Sequence, residues 1–148
     1  MQKTLNTYSI GEVAKIFNLT VPTLRYYDKE GIIPNLYKNS SGIRQFTEDN
    51  LRAIQTIECL KKAGMPIKGI KSFMKLCGEG DDSLSERLEM FKSLRKDVLE
   101  QMSELQETLN MINFKCRYYE TAVKDNTEDK VRQEMNILDI ANLDYKKK

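Results

Sequence analysis

The sequence predicts a mainly α protein, with a winged helix-turn-helix head, a small β-hairpin as the wing, and a long coiled-coil helix behind it. Three observations carry this. Two short segments with helix-capping residues at their starts lie a few residues apart near the N-terminus. A cluster of turn formers separates two short extended runs. A 3,4-spaced apolar seam then continues over five heptads with no Gly or Pro to interrupt it.

Ser9-Ile10-Gly11-Glu12 reads as a capping box, in which Ser accepts from the backbone three residues on and Glu reaches back. Ile10, Val13, Ala14 and Phe17 give the first helix one apolar face, and Asn18 suits a left-handed stop. Thr20 caps a second helix with Pro22 in its first turn, and Gly31 and Pro34 end it. Between Leu36 and Phe46, the segment Lys38-Asn39-Ser40-Ser41-Gly42 predicts a hairpin. Thr47 caps a third helix to Ala63, closed by Gly64, and Pro66 opens a fourth to about Cys77, with Ile67, Ile70, Phe73, Met74 and Cys77 as its stripe. Gly78 and Gly80 with adjacent acids read as a hinge-like linker and a domain boundary.

Ser83-Leu84-Ser85-Glu86 reads as a second capping box, opening the long helix. Its seam positions are Leu84, Leu88, Phe91, Arg95, Val98, Met102, Leu105, Leu109, Ile112, Cys116, Tyr119 and Val123; only Arg95 is polar, and Leu94 stands beside it. Such a seam requires a partner, and the head is too small to cover it, so the expectation is a homodimer. Met111, Phe114, Tyr118 and Ala122 widen the apolar surface at the C-terminal end, implying that this end packs on more than one helix. Asn126-Thr127 breaks the pattern and caps a last weak helix with Val131, Met135, Leu138 and Ile140 facing inward, before Tyr145 and a lysine tail. The domains expected are a winged helix-turn-helix head over 8–78, a dimerisation helix over 83–124, and a short C-terminal helix and tail over 125–148.

Composition narrows the class. Of 148 residues, 31% are charged and 40% apolar, which fits a helix-rich protein with a modest core. Residues 1–78 hold twelve Lys/Arg against six Asp/Glu, a net of +6, and residues 79–148 hold twelve against sixteen, a net of −4. A basic head is drawn to a polyanion while the acidic remainder is kept off it. There is no apolar run of membrane-spanning length and no apolar leader in Met1 to Tyr8, so a cytoplasmic location is expected. Cys59, Cys77 and Cys116 are too few and too widely spaced for a disulfide framework.

The chemistry lies in the second helix. Leu24, Tyr27 and Asp28 share one face, and Arg25, Tyr26 and Lys29 lie largely to the other. Arg offers a planar fork to guanine or phosphate and Tyr donates to a phosphate oxygen. Thr20 and Thr23 add hydroxyls at a helix N-terminus whose partial charge is positive. The spacing is that of a helix-turn-helix whose second helix enters the major groove. Tyr37, Lys38, Asn39 and Arg44 around the Ser-Ser-Gly turn supply a basic wing edge, and Lys61 and Lys62 are further candidates for phosphate contact.

Four motifs, in order and spacing, resemble the signature of the MerR family of transcription regulators: Tyr8-Ser9-Ile10-Gly11-Glu12-Val13-Ala14, Thr23-Leu24-Arg25-Tyr26-Tyr27-Asp28-Lys29-Glu30-Gly31, Ser41-Gly42-Ile43-Arg44 and Phe46-Thr47-Glu48. The resemblance covers residues 8–123. It implies a dimer formed by an antiparallel pair of the long helices, binding to a promoter whose spacer is overlong, and distortion of that spacer so that RNA polymerase engages both flanking elements. It also implies Arg25, Tyr26 and Arg44 as DNA contacts.

Effector class follows from the cysteines. Metal-sensing members of the family place cysteines at the start of the dimerisation helix and in a loop after it. Here no Cys follows Cys116 and there is no His, so neither a metal site nor any other cofactor is expected. Only about 25 residues follow the long helix, too few for a drug-binding domain. In the third helix Ala53, Ile54, Ile57 and Leu60 mark the apolar face, and Cys59 points nearly opposite it beside Arg52 and Lys62, an environment suited to a reactive thiol. The stretch Ile57 to Met65 is similar to that of the aldehyde- and thiol-stress-responsive branch, where a Cys at this position is the proposed sensor; the other reading of Cys59 is a structural thiol. Cys77 and Cys116 lie on apolar stripes and are expected in the core.

An enzyme is not expected, since the chain has no His, no Gly-rich phosphate loop and no nucleophile placed with a base. The competing reading is a coiled-coil adaptor whose helical head binds protein. Steep salt dependence of duplex binding separates the two.

Overall fold

The computed structural model describes residues 6–135. In chain order these form α1 (Ile10–Phe17), α2 (Val21–Lys29), β1 (Tyr37–Lys38), β2 (Arg44–Gln45), α3 (Glu48–Lys62), α4 (Ile67–Gly78), a 3-10 turn (Gly80–Ser83), α5 (Leu84–Asp125) and α6 (Asp129–Glu134). Leu138, Ile140 and Tyr145, assigned above to the last helix and tail, lie outside the described residues. No helix among the described residues is long and apolar enough to cross a membrane.

Local chemistry explains the helix ends. Ser9 and Glu12 close the capping box of α1, and Asn18 ends it in the left-handed region at φ 53°, its N–H reaching the carbonyls of Ala14 and Lys15. α3 has a full capping box where the sequence pattern shows only a Thr cap: Asn50 Oδ1 accepts from the Thr47 N–H at 2.9 Å, while Thr47 Oγ1 accepts from the Asn50 N–H at 3.3 Å. Asn50 is buried, and its Nδ2 also donates to the Pro34 carbonyl at 2.7 Å, tying the start of α3 to the chain leaving α2. One polar side chain thus satisfies two backbone groups that burial would otherwise leave unpaired.

Two compact units divide the chain between Arg95 and Lys96, inside α5. In the first, Val13, Leu24, Ile32, Phe46, Ile54, Ile57 and Leu60 are essentially inaccessible and form one core with Tyr27, Ile33, Ile70 and Phe73. Each such aliphatic or aromatic side chain contributes about 1.5–3 kcal/mol by leaving water. Met90 and Leu94, from the first turns of α5, pack on this core, and the Phe91 ring meets Phe73 edge-on at 5.3 Å between centroids.

The stretch from Gly78 to Ser83 is therefore not the hinge that its glycines suggested. Its last four residues are a 3-10 turn, and the second capping box does not form as expected. The buried Ser83 hydroxyl is shared between the carbonyl oxygens of Leu76 and Gly80, and it accepts from Arg87 Nε at 3.0 Å. Donation to those carbonyls at and beyond the end of α4 orients the hydroxyl, and Arg87 Nε donates to its oxygen where a capping box would have a backbone N–H of α5 do so.

The wing is a two-stranded antiparallel ladder pairing Tyr37 with Gln45 and Lys38 with Arg44. Its turn is organised by Asn39, whose Oδ1 accepts from the N–H groups of Ser41 and Ile43, both at 3.0 Å, with Gly42 at φ 77°. Behind it Tyr8 exchanges both backbone hydrogen bonds with Phe46, anchoring the start of the described chain to the wing's exit.

In the second unit Tyr118, Ala122 and Val131 form a small buried cluster with Met135 against it, so α6 covers part of the widened C-terminal surface of α5. Asn126, at φ 56°, ends α5, and Thr127 accepts the Asp129 N–H at 3.2 Å to start α6. Cys116 is exposed, a correction to its expected place in the core: α6 covers Tyr118 and Ala122, whereas Cys116 faces out on the seam.

Candidate nucleic-acid interface

α2 separates into two faces and two halves. Leu24 and Tyr27 are buried and Asp28 is half-buried, while Arg25, Tyr26 (44% exposed) and Lys29 face solvent. At the N-terminal end Thr20 Oγ1 accepts the Thr23 N–H at 3.2 Å, and the two hydroxyls are 2.7 Å apart, so both help to build the cap as well as line its surface. Arg25 and Tyr26 follow within the next turn, on the exposed side.

The C-terminal half of α2 is tied to three other elements. Tyr27 donates to Glu58 of α3 at 2.6 Å and accepts from Lys61 Nζ at 3.2 Å. Burial first, and then the bond to Glu58, push the Tyr27 phenol well above its ordinary value and keep it neutral. Asp28 pairs with Arg44 of β2 at 2.7 Å, with side chains only 22% and 26% exposed. Glu30 pairs with Lys71 of α4. The element that would read DNA is thus fixed at its far end and open at its near end, as a rigid platform for recognition requires.

The wing presents Tyr37 (58% exposed) and Lys38 to solvent. Asn39 is half-buried with its carbonyl oxygen engaged in the turn. Arg44 is also half-buried, with Nε engaged by Asp28. Lys61, read from sequence as a phosphate contact, is exposed but directed to the Tyr27 hydroxyl and lies 5.8 Å from that ring's centroid. Beside it a cleft of about 430 Å³ opens between Pro22, Thr23 and Tyr26 of α2 and Met65 and Ile67 at the α3–α4 turn.

Cys59 is exposed on α3, away from the buried Ile54, Ile57 and Leu60; the Arg52 guanidinium on its side is bonded to Asp49 at 2.6 Å. Cys77 is half-buried against the head core. Along α5 the seam is open: Leu84, Leu88, Phe91, Met102, Leu105, Leu109, Ile112 and Tyr119 are all 38–68% exposed, and Val98 is half-buried.

Sequence reasoning missed Asp28, Glu58 and Asn50 as organising residues. Asp28 sits on the buried face in a wheel projection, which was a signal that it needed a partner. The identity of that partner, sixteen residues on, was not legible.

The model of the MerR helix-turn-helix regulatory protein family matches residues 8–77. The chain is 37% identical over 116 residues to an HTH-type transcriptional regulator of Haemophilus influenzae, covering 78% of this chain and 86% of that one. It belongs to the MerR family. Members of this family are DNA-binding transcription regulators and not enzymes, which settles the class to which the basic head and exposed α2 belong. Another relative, the HTH-type transcriptional regulator AdhR of Bacillus subtilis, is 36% identical over 92 residues, covering 62% of this chain and 66% of its own. Among solved structures the chain is similar to HiNmlR, described as a MerR family regulator lacking the sensor domain, bound to promoter DNA. The TM-score is 0.76 at 35% identity, covering 83% of this chain and 98% of that one.

Proposed function

We propose that the protein is a MerR-type regulator that binds promoter DNA as a homodimer, with residues 8–78 reading DNA, 83–124 pairing the protomers and 125–148 supporting the end of the pairing helix. The observation that carries this is the conjunction of an open Arg25–Tyr26 face on α2 with an open apolar seam on α5. In this reading Thr20, Thr23, Arg25 and Tyr26 contact the major groove and its phosphates, and Tyr37, Lys38, Asn39 and Arg44 lie along the backbone. The likeness to a promoter-bound neighbour supports the reading.

Homodimerisation rests on Leu84, Leu88, Phe91, Val98, Met102, Leu105, Leu109, Ile112, Cys116 and Tyr119, whose combined exposure no isolated soluble helix sustains. An antiparallel pair makes the seam self-complementary under two-fold symmetry and sets the two α2 helices at a fixed spacing. Activation then consists of distorting an overlong promoter spacer so that RNA polymerase engages both flanking elements, an energetic use of DNA deformability. The chain acts in the cytoplasm, where its DNA is.

Cys59 is the proposed entry point for the signal: an exposed thiol on the helix that also carries Glu58 and Lys61, the partners of Tyr27. Modification by an electrophile or oxidant would add bulk or charge one residue from the tie that holds α2. The test combines sedimentation, footprinting of promoter duplex with and without a reactive aldehyde, and the Cys59→Ala variant. Expected are a dimer, a salt-sensitive footprint, and a response to the aldehyde that the variant lacks. A monomer bound to no duplex, with salt-insensitive protein binding, would instead favour the adaptor reading.

A further inference from the structure

We infer that Asp28 is a positioning residue for the DNA interface: by holding Arg44 through Nε it orients the outer edge of the guanidinium toward a backbone phosphate and joins the wing to α2 as one reading unit. The inference rests on the DNA-binding reading above and goes beyond it, because Asp28 itself carries the wrong charge to contact DNA.

A carboxylate on the recognition helix of a basic head is costly. At a spacing of a few ångströms it repels phosphate, and it opposes the attraction that a net of +6 over residues 1–78 provides. Asp28 is nevertheless placed on the helix that carries Arg25 and Tyr26, half-buried, with Oδ2 2.7 Å from Arg44 Nε. The contact is made by Nε, not by the terminal amino groups. A guanidinium is a planar fork, so fixing one edge determines where the remaining donors point, and the rotamer freedom of a long side chain is lost before DNA arrives.

The two residues come from elements joined by a loop and a short strand. Lys38 pairs with Arg44 across the ladder, so the tie reaches the basic edge of the wing as well. The hairpin has only two residues per strand, and its turn is closed by its own Asn39; the Asp28 bridge is a side-chain tie from that ladder to α2. Removing the carboxylate should therefore let the wing and Arg44 move relative to Arg25 and Tyr26.

Electrostatics alone and positioning predict opposite signs for one substitution. Asp28→Asn deletes a negative charge, which by itself strengthens binding to any DNA. Positioning predicts weaker binding to the preferred duplex. The measurement uses the full chain, a duplex enriched by the wild type from a random-sequence library, and poly(dI-dC) as the non-specific probe. Expected are roughly a tenfold loss for the enriched duplex with Asp28→Asn, unchanged or tighter binding to poly(dI-dC), and no further loss when Asp28→Asn is added to Arg44→Ala. Arg44→Lys, which keeps the charge but has no Nε, should lose roughly as much on the enriched duplex while keeping the salt slope.

Tighter or equal binding of Asp28→Asn to both probes overturns the inference. So does an equal loss on both probes with a lowered thermal midpoint, which would make the pair a brace for the fold alone. If the wild type enriches no duplex, the DNA-binding reading fails first and the inference falls with it.

Discussion

In residues 6–95 a set of apolar side chains closes a core of its own, with Val13, Leu24, Phe46, Ile54 and Ile57 at 0% exposure, and Tyr27, Asp28 and the C-cap Glu30 of α2 are bonded to α3, β2 and α4 in turn. Along α5 beyond Lys96 the order is reversed: Leu99, Met102, Leu105, Leu109, Ile112, Tyr119 and Val123 are 47–75% exposed, and the buried cluster consists of Tyr118, Ala122 and Val131. The head completes itself; the helix does not. The difference teaches that the same apolar periodicity has two uses, and that burial within one chain tells them apart.

The comparison breaks most severely in the head. Phe46→Ala removes a fully buried ring and should cost about 3–5 kcal/mol, read by denaturant unfolding, whereas Val123→Ala on the open end of α5 should change monomer stability by about 0.5 kcal/mol or less. A similar cost at both positions would show that the seam is covered within the chain.

Next in size is the pairing itself. Leu105→Lys with Leu109→Glu places charges on seam positions 68% and 47% exposed, and should give a folded monomer in sedimentation. Promoter affinity should then fall by about 100-fold or more, because two linked heads bind far more tightly than one. Arg25→Ala should leave dimerisation intact and weaken duplex binding by about 1–3 kcal/mol, with a shallower salt slope if the contact is to phosphate.

Tyr27→Phe sharpens the comparison within the head. It leaves Glu58 and Lys61 without their shared hydroxyl and should destabilise the head by about 1–2 kcal/mol. Its sign with pH follows from the raised phenol: the hydrogen-bonded neutral form contributes stability that is intact below the ordinary tyrosine value of 10.0 and is lost as pH rises above it. Alkaline titration of unfolding should show that loss in the wild type and less of it in Tyr27→Phe. The smallest effect expected is on stability in Cys59→Ala, within about 0.5 kcal/mol for an exposed thiol, even where the response to an electrophile disappears.

The legible part of the site is the part set by local chemistry. Thr20 as cap, Leu24 and Tyr27 inward, and Arg25 and Tyr26 outward follow from a 3.6-residue period and a capping preference, and the structure has all of them. Ser83 was misread for an equally local reason. Its motif fits a capping box, but nothing in four residues reveals that the hydroxyl donates to the carbonyls of Leu76 and Gly80 and accepts from Arg87. Cys116 lies outside the core of the single chain because a stripe in a sequence does not say which of its residues a short following helix will cover.

By itself the sequence determined the helix ends of the head up to α4, the hairpin turn, the seam and the family, since each depends on residues within a few turns of one another or on motifs in fixed order. Tertiary structure alone decided that Asp28 meets Arg44, that Glu58 and Lys61 meet Tyr27, that Asn50 holds Pro34, and that the start of α5 belongs to the head. The reason is physical: a half-buried polar group must find a partner, but which one it finds depends on how separate elements pack, and no periodicity encodes that.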